Sequence, residues 1–208
     1  MPYQAAMDIG SNSVKTTVVL ADRPLSEIVA KRSKVTRLGQ GFAEGRLQDA
    51  PMERTIAAMG DQLEWLRKEY SPCEVVIGAT SAVRDAQNGP DFLARCKQVL
   101  GLTVQPYRLT GEQEATCTFL GAGCAVKQGS FFVNADPGGG STEISFGLAG
   151  EKLMGFKSFQ VGAVRWGERL AWRRPAISRR GKKHLRLPRT ALTTSSMSSR
   201  LWARYCLS

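Results

Sequence analysis

The chain has 208 residues, 42% of them hydrophobic, and a formal net charge of +11. That length holds one domain or one and a fraction. No apolar run is long enough to span a bilayer and the first residues do not read as a secretory leader, so the expectation is a chain with no membrane role. The charge invites a nucleic-acid partner, but ten of the 29 Lys and Arg residues, and none of the 18 Asp and Glu, lie from Ala171 onward. The body is close to neutral, and nucleic acid is disfavoured as its partner.

In chain order, Tyr3 to Ile9 reads as a short buried strand, with Thr16 to Ala21 and Leu25 to Lys34 as its meander partners. Glu53 to Tyr70 is predicted as a helix, because Ile56, Met59, Leu63, Leu66 and Tyr70 recur at steps of three and four. Asp49 and Pro51 supply its start signal. Glu74 to Ala79 reads as a strand and Pro90 to Leu100 as a helix, with Asn88 just ahead and Gly101 just past its end. Thr103 to Leu109 reads as a further strand. Thr110-Gly111-Glu112-Gln113 matches a capping box opening a helix to about Ala122, with Glu112 and Gln113 completing the cap. Phe131 to Ala135, Ile144 to Leu148 and Lys152 to Phe159 then repeat the opening meander. Alternation of this kind implies an α/β lobe with a mixed sheet. Trp65 and Phe92 belong to apolar helix faces and are expected in the core.

Five cysteines, Cys73, Cys96, Cys117, Cys124 and Cys206, include no CxxC pair. Structural zinc is therefore disfavoured, and free thiols in a reducing, cytoplasmic compartment are expected. His184 is the only histidine and lies in the basic last segment, which disfavours histidine chemistry in the body.

Both meanders turn through a glycine-rich loop beside a carboxylate, Asp8-Ile9-Gly10-Ser11-Asn12-Ser13 and Asp136-Pro137-Gly138-Gly139-Gly140-Ser141-Thr142-Glu143. Glycine lets the backbone turn sharply and bring N–H groups close to an anion. A carboxylate there can hold a divalent cation that bridges to phosphate oxygens. For one loop alone, the aspartate organising its own turn is an equal reading. Three consecutive glycines lose backbone entropy on folding, which argues for close approach of a ligand. Arg84, after a buried strand, can clamp a phosphate bidentately or pair at the surface with Asp85 or Asp91. Glu114, in the first turns of its helix, is placed where the dipole favours a carboxylate able to accept a proton from water.

Four segments in order, Asp8-Ile-Gly-Ser-Asn-Ser, Thr80-Ser-Ala-Val-Arg-Asp-Ala, Leu109-Thr-Gly-Glu-Gln-Glu-Ala and Asp136-Pro-Gly-Gly-Gly-Ser-Thr-Glu, resemble the exopolyphosphatase/guanosine pentaphosphate phosphohydrolase family of the actin–sugar kinase–Hsp70 superfamily. The resemblance covers roughly the first 170 residues. It implies an α/β fold with a ribonuclease-H-like (actin-like ATPase) first lobe over 1–126 and the opening strands of a second, incomplete lobe over 127–170. Gln160-Val-Gly-Ala-Val-Arg165 resembles the family's continuation. Pro137 departs from it, where an aliphatic residue is usual, and removes one backbone donor.

By that resemblance Glu114 is the catalytic base. Ser11, Asn12, Ser13, Arg84, Gly138, Gly139, Gly140 and Ser141 bind phosphate oxygens. Asp8 and Asp136, with Glu143 as a metal-water ligand or behind them, are associated with Mg2+. The implied reaction releases terminal phosphate from inorganic polyphosphate or guanosine pentaphosphate, and family members are often homodimers. Two other readings stand beside it: a kinase or ATPase of the same superfamily, and a truncated, non-catalytic polyphosphate- or nucleotide-binding fragment. Residues 171–208 show no sustained period. They are expected as out-of-frame translation or, alternatively, as a natural basic tail that orders on an acidic partner. Resequencing that returns an intact frame with the same tail removes the first of these.

Overall fold

The computed structural model describes residues 3–22, 27–42 and 45–169. The expectations for 171–208 lie outside the described residues. The first sheet opens with β1 (Tyr3–Ile9), β2 (Ser13–Leu20) and β3 (Ile28–Val35). β1 is central, antiparallel to β2 and parallel to β4 (Cys73–Ala79), and its Ala5, Met7 and Ile9 are buried. With β5 (Tyr107–Arg108) at one edge, the strand order is β3-β2-β1-β4-β5, a mixed five-stranded sheet of the expected α/β type.

α1 (Asp49–Glu69) buries Ile56, Met59, Leu63 and Leu66 on one face, as the spacing predicts. It begins four residues earlier than predicted, because Pro51 fits the first turn, where a missing N–H leaves no broken bond. Trp65 packs edge-on to Tyr70 and beneath Arg32, and Phe92 is buried in the main core. α2 (Ser81–Asp85) was not predicted; five residues are too few to display a period. α3 (Gly89–Leu100) ends on Gly101 at φ 62°, the left-handed closure that glycine supplies. Asn88 does not cap it through its side chain; the amide instead bonds the Leu47 N–H and C=O at 2.9 and 3.0 Å, tying the loop before α1 to α3.

The strand predicted over Thr103 to Leu109 shrinks to β5 (Tyr107–Arg108), paired only with Gly78 and Ala79. Pro106 has no N–H for a ladder, and the Leu102 N–H turns back to Lys97 O at 3.0 Å. α4 (Gly111–Gly123) opens on the predicted capping box: Gln113 N–H donates to Thr110 Oγ1 at 3.1 Å, and Thr110 N–H to Gln113 Oε1 at 2.9 Å.

The second sheet is the meander β6 (Phe131–Pro137), β7 (Thr142–Leu148) and β8 (Leu153–Phe159). α4 lies against all three strands, with Phe119 stacked on Phe132 at 4.4 Å. The opposite face exposes Phe131, Val133 and Phe146. α4 also shares a small cluster with Ala6 and Leu109 through Cys117, so it joins the two sheets. A short helix, α5 (Ala163–Arg169), follows β8 and was likewise not predicted. Among the described residues no helix is long and apolar enough to cross a membrane.

Candidate active site

The two glycine-rich loops are both tight hairpins and face each other. Gly10 N–H donates to Ser13 O at 3.0 Å, and Gly138 N–H to Ser141 O at 2.8 Å. Each loop is also held from behind by the segment after its third strand. Thr36 and Arg37 N–H both bond Asn12 O at 2.9 Å, and Gly39 N–H bonds Ser11 O at 2.8 Å. Ala163 N–H bonds Gly138 O at 3.1 Å, and Val164 and Arg165 N–H bond Gly139 O at 2.9 and 3.1 Å. The internal repeat is therefore a repeated way of bracing a loop, with the carbonyls occupied on the outer side.

The loops touch. A Cβ on Gly140 would stand 2.5 Å from Ser81 Oγ and 2.7 Å from Ser11 Oγ, and one on Gly139 would stand 3.1 Å from Ser11 Cβ. Ser11 and Ser81 hydroxyls are themselves 3.0 Å apart. The missing side chains serve packing of one loop on the other, a reason the sequence reading, which assigned them to ligand approach, did not contain. Gly162 is tighter still, since a Cβ there would lie 2.4 Å from both C and O of Gly139. Gly162→Ala is expected to destabilise the chain by about 1–3 kcal/mol, the range for overpacking against atoms that have no room to yield. A urea titration that finds no shift in midpoint would contradict this.

Between the loops lies a pocket of about 90 Å3. Of the residues singled out from the sequence, Asp8, Ser11, Asn12, Ser13, Glu114, Asp136, Gly138, Gly139 and Ser141 line it; Arg84, Gly140 and Glu143 do not. Lys15, Thr80, Ser81 and Thr118 line it too and were missed. Lys15 was accessible to counting: it is the ladder partner of Asp8 across the first hairpin, as Glu143 is of Asp136 across the second. The volume is well below the roughly 300–1,000 Å3 of drug-sized sites, and suits one phosphoryl group rather than a nucleoside.

Arg84 does not stand open to solvent. It donates through Nη1 to Glu114 Oε2 at 2.5 Å, with side-chain exposures of 15% and 13%. Its Nη2 is 4.0 Å from Glu143 Oε1, and its Nε is 3.7 Å from Asp85 Oδ1. Glu143 is fully buried; Oε1 accepts from Ser158 Oγ at 2.8 Å, the Ser141 hydroxyl also bonds the carboxylate, and Oε2 has no partner.

Burial and the neighbouring Glu143 carboxylate push the Glu114 pKa up to about 8, against the opposing pull of Arg84. The helix start was expected to keep this carboxyl ionised. Desolvation in a cluster of like charges outweighs a terminal dipole, which is weak beyond the first turn. Burial likewise raises Glu143, and burial reinforced by Asp136 raises Asp8 to about 6 despite Lys15. The Cys96 and Cys73 thiols are pushed up by burial to about 12 and 11, which disfavours them as nucleophiles.

Asp8 Oδ1 is buried with no hydrogen-bond partner. An aspartate serving only its own turn would have both oxygens satisfied, so this orphan fits a cation. Asp8 and Asp136 both line the pocket and offer carboxylate oxygens, the donor type of magnesium, which takes one or two carboxylates and completes its shell with water and phosphate.

Two facing glycine-rich hairpins, one on a mixed five-stranded sheet and one on a three-stranded meander, with a largely buried glutamate between them, belong to a ribonuclease-H-like, actin-like ATPase fold. The family model of the Ppx/GppA phosphatase family matches residues 17–193, and the chain belongs to that family. Exopolyphosphatase 2 of Mycobacterium tuberculosis is 36% identical over 175 residues, which cover 79% of this chain and 54% of the relative. The crystal structure of the Aquifex aeolicus Ppx/GppA family member superposes with a TM-score of 0.66 at 31% identity, covering 80% of this chain and 54% of that one. An exopolyphosphatase structure from Cytophaga hutchinsonii gives 0.71 at 24% identity, with 80% and 53% covered, a likeness of fold. The chain spans about half the length of the curated relatives it matches.

Proposed function

We propose that the loop pocket hydrolyses a terminal phosphoanhydride, with inorganic polyphosphate as substrate and the 5′-terminal phosphate of guanosine pentaphosphate as an alternative of the same chemistry. The observation that carries this reading is Glu114: a largely buried carboxyl, 13% exposed, on the wall of a pocket sized for one phosphoryl group and held by Arg84. Water attacks the terminal phosphorus, the bridging P–O bond breaks, and Glu114 accepts the water proton. The N–H and hydroxyl groups of Ser11, Asn12, Ser13, Gly139 and Ser141 line the space for the phosphoryl oxygens. Arg84 holds the base and supplies positive charge beside the reacting group. A magnesium ion at Asp8 and Asp136 would neutralise phosphate charge and draw the neighbouring carboxyls towards ionisation.

The relative's name, exopolyphosphatase, favours polyphosphate. The test is phosphate release from a polyphosphate of defined length, with magnesium and after chelation. Release that requires the cation is expected, with a loss of at least ~100-fold on chelation if the ion contributes the several kcal/mol typical of such sites. Polyphosphate binding without release would instead favour the non-catalytic reading, and transfer of phosphate from ATP to an acceptor would favour the kinase.

A further inference from the structure

Arg165, in the first turn of α5, takes no part in the reaction above, yet it holds three separate segments beside the pocket. Its Nε donates to Gly140 O at 2.7 Å and its Nη2 to Asp85 Oδ2 at 2.6 Å, and its guanidinium lies 5.9 Å from the centre of the Phe42 ring. Gly140 belongs to the second loop, Asp85 to α2, and Phe42 to the segment beyond the first loop's brace. The side chain is only 18% exposed. Three segments distant in sequence therefore meet on one planar cation, and both charged bonds are short.

Asp85 gives this contact a consequence. Its second oxygen, Oδ1, is 3.7 Å from Arg84 Nε, and Arg84 is the cation paired with Glu114. Asp85 and Glu114 thus share one guanidinium, Asp85 at Nε and Glu114 at Nη1. Arg165 neutralises Asp85 from the far side and leaves Arg84 to Glu114. The same side chain fixes the carbonyl of Gly140, while the backbone N–H groups of 163–165 fix those of Gly138 and Gly139.

We infer that Arg165 is a positioning residue, which locks the second glycine loop onto α2 and keeps Asp85 from drawing Arg84 away from Glu114. Its kinetic consequence rests on the phosphoanhydride reading; its structural consequence does not. Lysine cannot replace it, because one ammonium does not reach two acceptors in a fixed fork.

The test compares Arg165→Met, Arg165→Lys and the double variant Arg165→Met with Asp85→Asn. Arg95→Gln, a surface arginine on α3, is the control. Two readouts are taken: steady-state phosphate release, and hydrogen exchange at the amides of Gly138, Ala163 and Val164. Arg165→Met is expected to lower kcat by about 10- to 100-fold, the scale of a misplaced reacting group, with KM changed much less and exchange at the three amides faster. Arg165→Lys falls between. The double variant recovers part of the kcat, because the second carboxylate on Arg84 is gone, while exchange remains fast. Unchanged exchange in Arg165→Met overturns the inference. So does a double variant no better than Arg165→Met. If the unmodified chain releases no phosphate, the activity reading fails by itself and the exchange result alone decides the positioning role.

Discussion

On the proposed reaction, Glu114→Gln is expected to lower phosphate release by about 100- to 10,000-fold, the range for loss of a positioned general base, with the fold retained. The amide oxygen of glutamine can still accept from Arg84, so the contact that orients this side chain survives. What is lost is the ability to take a proton from water. The variant also makes a stability prediction with a definite sign. Folding raises the Glu114 pKa from the ordinary 4.5 to about 8, so between those values the folded chain holds a proton that the unfolded chain has released. Stability contributed by this group is therefore present below about pH 4.5 and lost as the pH rises towards 8. Glutamine mimics the protonated form at every pH. In a chelating buffer, Glu114→Gln should show a shallower decline in urea midpoint from pH 5 to 8 than the parent chain. Turnover within threefold of the parent would remove Glu114 as the base. Identical pH profiles of stability would show that its carboxyl is not the group held protonated.

Local chemistry makes the two hairpins and the α4 start readable in the sequence. The hairpins declare themselves because glycine and hydroxyl residues interrupt strand-forming runs at matching offsets from an aspartate. The capping box declares itself because Thr110 and Gln113 need only each other. α1 shows its buried face through a period sustained over about four turns, from Ile56 to Tyr70. Where the sequence reading failed, the deciding contact came from elsewhere in the chain. α2 and α5 are too short for a period, and α5 is fixed by Gly138 and Gly139 rather than by its own residues. Asn88 looked like a cap and is spent on Leu47. The pairing of Arg84 with Glu114, and the upward push that burial and Glu143 give the Glu114 pKa, arise only when α2, α4 and β7 converge. Lys15 is the exception, since counting across the first hairpin from Asp8 reaches it directly.

Phe119→Ala is expected to destabilise the chain by about 3–5 kcal/mol, the usual range for removing a buried phenylalanine. Phe119 is fully buried on α4 and stacks on Phe132 with the rings 11° from parallel. Its ring edge also fills the space that a side chain on Gly147 would occupy, with Cζ 2.9 Å from that position. The residue thus keys α4 into both β6 and β7. A loss of this size is a large fraction of the ~5–15 kcal/mol that holds a folded domain together. The same contact reaches the chemistry, because Glu114 lies on α4 and Asp136 on β6. Loosening the helix from the sheet changes their separation as well as the stability. Phe119→Leu keeps most of the apolar volume and should recover most of the loss in urea unfolding at an unchanged denaturant slope. If Phe119→Ala costs less than about 1 kcal/mol, below the range for a filled core site, α4 is not keyed to the second sheet through this ring. Activity that falls in Phe119→Ala but returns in Phe119→Leu would tie the alignment of Glu114 to the same packing.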